Sequence, residues 1–138
     1  MNSKVWNHIL IRFLVSLAFW EALSFPLKML FFSKFYYSND FKSFFTPVTD
    51  INWIIPAIAD MIQIFATGLI VSLARPSLPE KLAGGFLAGL ILSGIFVGIT
   101  LFIQSFTSLF PTEFLWMWCL YEVFLSLTVA IIYTVESD

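Results

Sequence analysis

Charge is what this sequence has least of. Only 12% of its 138 residues are Asp, Glu, Lys or Arg, against roughly 25% in a soluble domain, so a folded surface of this size would have too few ionic side chains to stay in water. Basic residues are scarcer still. Seven Lys and Arg against nine Asp and Glu leave a net charge of -2, and without a basic patch there is no footprint for nucleic acid. Histidine and cysteine occur once each, as His8 and Cys119. A lone cysteine closes no internal disulfide, and a lone histidine builds no two-histidine metal or haem site within the chain. Lacking a second histidine to activate it, Cys119 reads as a small packing residue beside Trp118. His8 reads as an interfacial side chain. No catalytic residue, metal site or cofactor is expected.

Apolar sequence fills the space that charge leaves. Hydrophobic residues make up 59% of the chain, with seventeen Phe and five Trp, and the mean hydropathy is +0.91. Bulky apolar side chains suit a lipid-facing surface, and Trp and Tyr the headgroup boundary. Four apolar runs, roughly 9–32, 53–74, 82–106 and 113–134, are each long enough to cross a hydrocarbon core of ~30 Å at 1.5 Å per residue. A membrane barrel would need at least about eight segments of alternating polarity. The sequence therefore predicts an all-α, single-domain bundle of four transmembrane helices in the lipid bilayer. The first run reads as a retained helix and not a cleaved leader, because Arg12 interrupts it early and apolar sequence continues to Phe32.

The connections carry local signals. Ser77-Leu78-Pro79-Glu80 fits a capping box, which would start the third helix near Ser77. In the long first loop, Phe41, Phe44 and Phe45 follow Asn39 and Asp40 at helical spacing and stop at Pro47, which predicts a short interfacial helix. Asp50 is the expected cap of the second span and Trp53 its interfacial anchor. Lys4, Arg12, Arg75 and Lys81 fall on the side of the termini, against Lys28, Lys34 and Lys42 on the first-loop side. The positive-inside bias then places both termini in the cytoplasm.

Small residues concentrate in the third span. Gly85 with Gly89, continued by Ser93, and Gly94 with Gly98 form small-xxx-small pairs that let helix backbones approach closely where lipid supplies no hydrophobic drive. Packing within the bundle is the first reading of this stripe and a homodimer face the second.

The residues that most need an explanation are three carboxylates inside spans: Glu21, Asp60 and Glu122. An ionised acid costs at least ~2.5 kcal/mol at a helix centre in lipid, so each must face protein, water or a partner. Counted from the end that holds the first and third loops, they fall within roughly 6 Å of one another in depth. Ser24, Gln63, Thr67 and Ser126 lie on the same helix faces, and Pro56 would free a backbone carbonyl nearby. Arg12 and Lys28, near the span ends, are expected to snorkel outward, which leaves no base to neutralise the acids. Either the carboxyls stay protonated and act as interhelical hydrogen-bonding groups, or they exchange protons for a cation or cationic substrate.

The LARPSLPEKLAGGFLAGL link, followed by a glycine-rich third span and a Glu-bearing last span, resembles an uncharacterised family of small four-span bacterial integral membrane proteins. That resemblance implies a fold and a bacterial inner membrane, and no activity. The chain is also similar to the small multidrug exporters in size, span number and a central Glu21. It departs from them in its long first loop, in Pro26 and in its two further intramembrane acids. The reading is a non-enzymatic membrane component, with a homodimer or a membrane-protein partner. The alternative is a small proton-coupled transporter or ligand-binding membrane protein built on Glu21, Asp60, Gln63 and Glu122.

Overall fold

A computed structural model of the chain describes residues 3–38, 48–107 and 110–135. These residues form α1 (Ser3–Tyr37), α2 (Ile54–Ala74), α3 (Lys81–Thr107) and α4 (Thr112–Thr134), with single 3-10 turns at Val48–Asp50 and Arg75–Ser77. All four helices are long and apolar enough to cross a membrane. The expected interfacial helix around Phe41–Phe45 lies outside the described residues.

Helix α1 runs beyond the predicted 9–32 at both ends, over 35 residues. Nothing between Ser3 and Phe25 breaks a helix, and Lys34 in the last turn complements the dipole. Pro26 sits inside α1, where it removes the amide that would bond Ala22 and crowds that carbonyl with its ring.

Two predicted caps are corrected. Asp50 does not cap α2; the side-chain oxygen of Asn52 accepts the Ile54 amide at 3.2 Å. With α2 starting at Ile54, Pro56 falls in the first turn, where its missing amide would have had no partner inside the helix. It frees no carbonyl within the span. The third helix starts at Lys81 rather than Ser77. Pro79 disfavours helical backbone at the residue before it, and Leu78 is indeed extended at φ -94 and ψ 151. The capping box therefore cannot close, and the chain enters α3 through Lys81 at φ 58.

The helices alternate in direction. Arg12 reaches the Ile132 carbonyl at 2.9 Å while Lys34 pairs with Glu113 at 3.5 Å, so α1 and α4 are antiparallel. Gly85 lies against Thr134 and Ile131, and Gly89 against Leu127, which sets α3 antiparallel to α4 as well. The first turn of α1 thus lies at the same end as the last turn of α4.

Helix α4 is the hub: it packs against each of the other three, whereas α3 packs almost entirely on α4. Within the most apolar stretch of each helix, 44% of α4 is buried against 22% of the others. The centre holds Trp20, Ile64, Val71, Leu125, Val129 and Tyr133. The outward faces are large and apolar, with Leu30, Leu73 and Phe106 at least 70% exposed; this is the inverse of a soluble surface.

Candidate functional site: a polar cluster between three apolar helices

Helices α1, α2 and α4 pack on one another, and each brings one acid to the same region. Glu122 on α4 is buried, at 6% exposed. The Gln63 side-chain amide, on α2, donates to its Oε2 at 2.7 Å. Asp60 lies one turn before Gln63 and is half-buried. Its carboxylate faces Glu21 across the seam between α1 and α2, with Trp20 and Lys28 also close. Glu21 itself is exposed on α1. The acids thus form a graded row from the core of the bundle, through Asp60, to its outer face. Among the described residues, no three His, Cys, Asp or Glu side chains are placed to hold a metal ion.

Lys28 overturns the expectation that no base reaches the acids. It stands seven residues after Glu21, two helical turns away on one face, and helical side chains lean back toward the N-terminus. Its Nζ lies 6.0 Å from the centroid of the Tyr121 ring, and it faces Asp60. Instead of snorkelling outward, Lys28 turns its charge inward to offset part of that of the acids.

Aromatic rings enclose the cluster. Trp20 is fully buried and meets Tyr121 edge-on at 5.2 Å. Trp118 stacks on Tyr121 at 5.7 Å and 27° and on Phe114 at 6.2 Å and 28°. Trp116 points outward, 58% exposed. The indole N–H of Trp20 is directed toward Asp60 and Tyr121 without closing a hydrogen bond. These rings lower the polarity around the acids, which strengthens every interaction between the charged groups.

Of the polar residues expected beside the acids, only Gln63 bonds to a carboxylate. The Ser24 hydroxyl donates to the Glu21 backbone carbonyl at 3.3 Å, and the Ser126 hydroxyl is buried with no hydrogen-bond partner. Thr67 is buried beside Gly68, whose bare Cα receives the Tyr133 ring. Gly68 with Ser72 at i+4 is itself a small-xxx-small pair, the signal that could have marked this contact.

The glycine stripe of α3 divides in two. A Cβ at Gly85 would stand 2.8 Å from the Ile131 Cα, and one at Gly89 would stand 2.8 Å from the Leu127 Cα. Ser93 is buried on the same face and donates to Leu90 within α3 at 2.9 Å. Gly94 and Gly98 behave differently: a Cβ at either meets nothing within 4 Å. They lie on the outer face of α3, away from α4.

Cys119 is buried and free. His8 lies with Lys4, Ser72 and Arg75 along an open cleft between the first turns of α1 and the end of α2. No protein-family model matches this chain, and no curated protein or solved structure matches it either.

Proposed function

We propose that this chain is a multi-pass integral membrane protein and a non-enzymatic component of its membrane, in which the polar cluster joins α1, α2 and α4 and offers Glu21 to a partner within the bilayer. The contrast between two acids carries this reading. Glu122 is 6% exposed and closed by Gln63 at 2.7 Å, as a group that holds helices together should be. Glu21 stands exposed on α1, where hydrocarbon alone would make an ionised acid cost at least ~2.5 kcal/mol. A donor on a neighbouring membrane helix, from another protein or a second copy of the chain, would relieve that cost.

A bacterial inner membrane with both termini in the cytoplasm fits the charges. With Lys28 committed to the cluster, the first-loop side keeps only Lys34 and Lys42 against Lys4, Arg12, Arg75 and Lys81, which strengthens the positive-inside bias. Reporters fused at Ser38 and after Asp138 should then report opposite sides.

The second reading is a small proton-coupled transporter. It is favoured by the graded row of acids from Glu122 to Glu21 and by the unpaired Trp20 N–H directed at it. Carboxyl infrared bands followed between about pH 5 and 9 separate the two readings, because buried carboxyls titrate there only if protons reach them. A Glu122 band that stays fixed, with Glu122→Gln as stable as wild type, supports the joining role. A band that moves with pH and is lost in Glu122→Gln supports transport.

A further inference from the structure

At the end of the bundle where α1 begins, residues of α1 and of the end of α2 line one cleft. Arg12 is already level with Ile132, in the last turns of α4, so the first turns of α1 run on past the end of that helix. Between them and the end of α2 lies an open cleft of about 330 Å³, lined by Lys4, Val5, His8, Ile9, Ser72 and Arg75. Its chemistry is two-sided. Lys4 and Arg75 supply positive charge, Ser72 supplies a hydroxyl, and Val5 and Ile9 supply an apolar wall. Lys4 and Arg75 also sit at matching depth, since the apolar stretches run over Ser3–Leu30 in α1 and Ile54–Ser77 in α2. The N-terminal turn of α1 adds the positive end of its dipole.

We propose that this cleft binds the phosphate headgroup of an anionic phospholipid, with Lys4 and Arg75 on the phosphate, Ser72 bonding to its oxygens, and Val5 and Ile9 against the start of the acyl chains. A free phosphate would satisfy the basic half as well, but the apolar wall has a use only for a lipid. Basic clefts between membrane helices at the edge of the hydrocarbon suit such headgroups, because two fixed charges meet one diester where its tails can remain in the bilayer.

Native mass spectrometry of the full chain in detergent tests this directly, titrated with dimyristoyl phosphatidylglycerol, with dimyristoyl phosphatidylcholine and with inorganic phosphate. Phosphatidylglycerol should be retained over phosphatidylcholine, and millimolar phosphate should fail to displace it. Each charge removed should weaken retention roughly fivefold, so Lys4→Gln with Arg75→Gln should lose on the order of 25-fold. The charge-conserving pair, Lys4→Arg with Arg75→Lys, should bind nearly as wild type, which separates loss of charge from loss of fold. Equal retention of the two lipids, or undiminished phosphatidylglycerol binding by the folded double Gln variant, would overturn the proposal. Full displacement by inorganic phosphate would overturn the assignment to lipid and identify a free anion as the ligand.

Discussion

Alanine at Gly89 and alanine at Gly94 should move stability in opposite directions, although the two glycines lie five residues apart on one helix. At Gly89 an added Cβ would stand 2.8 Å from the Leu127 Cα, 2.9 Å from the Leu127 Cδ2 and 3.2 Å from the Ser126 carbonyl oxygen. Two of those three atoms are backbone, so relief requires α3 and α4 to separate. Overpacking of this kind costs about 1–3 kcal/mol, against a helix-propensity gain of about 0.8–1.0 kcal/mol for Gly→Ala. The net expectation for Gly89→Ala is a loss of roughly 0–2 kcal/mol, and Gly89→Leu should lose more. At Gly94 the same methyl meets nothing within 4 Å, so only the propensity gain remains, up to about 1 kcal/mol. Gly98→Ala should behave like Gly94→Ala. Reversible unfolding in mixed micelles, monitored by circular dichroism, measures both signs on one scale. If Gly89→Ala and Gly94→Ala stabilise alike, Gly89 does not face α4 and the close contact between α3 and α4 is refuted.

The remaining expectations concern polar contacts. Gln63→Leu should cost about 1–3 kcal/mol because it strands a buried carboxyl, while Gln63→Leu combined with Glu122→Leu should recover much of that loss in a double-mutant cycle. Arg12→Gln should cost more than an ordinary surface change in the same unfolding assay, since the Arg12 guanidinium holds the Ile132 carbonyl at 2.9 Å near the negative end of α4. Glu113→Gln should shift stability by less than about 1 kcal/mol, because the side chains of the Lys34 and Glu113 pair are 55% and 69% exposed. Cys119, 5% exposed, should react with a membrane-permeant maleimide only after denaturation, so rapid labelling of the folded chain would contradict its placement.

Long-range features of this chain are legible in its sequence where they depend on period and length alone. Four apolar runs correspond to four helices, and the spacing of Gly85, Gly89 and Ser93 marks one helix contact. The caps are not legible, because each has a local competitor. Pro79 forces Leu78 extended and defeats the Ser77 to Glu80 box, and Asn52 displaces Asp50 by standing two residues nearer to Ile54. Gly94 and Gly98 share the spacing of the first pair but not its face, and spacing does not say which side of a helix is occupied. At the site, the depth of the three acids can be counted from the loops, and the Gln63 partner follows from its helix face. The inward turn of Lys28 does not, since it depends on side-chain direction and on the Tyr121 ring that receives it. Exposure is equally hidden: Glu21 and Glu122 read alike in sequence and lie on opposite sides of the packing.

That difference divides the bundle mechanically. Helices α1, α2 and α4 are tied by polar contacts that cross between them, Gln63 to Glu122 and Arg12 to Ile132, and by the Lys28 charge over the Tyr121 ring. In α3 the hydroxyls of Ser93, Thr100, Ser105 and Thr107 all donate to carbonyls of their own helix, and Gln104 closes the following turn through both the amide and the carbonyl of Phe110. What attaches α3 is the close approach of Gly85 and Gly89 to α4. Shape alone holds that interface, because in lipid the apolar faces gain nothing by leaving one hydrocarbon for another. Displacing α3 therefore breaks none of these polar bonds, whereas displacing α1 or α2 strips partners from charged groups in a medium that does not replace them. The two attachments thus differ in kind: close packing of Gly85 and Gly89 holds α3 on α4, and polar contacts add to the packing among the other three.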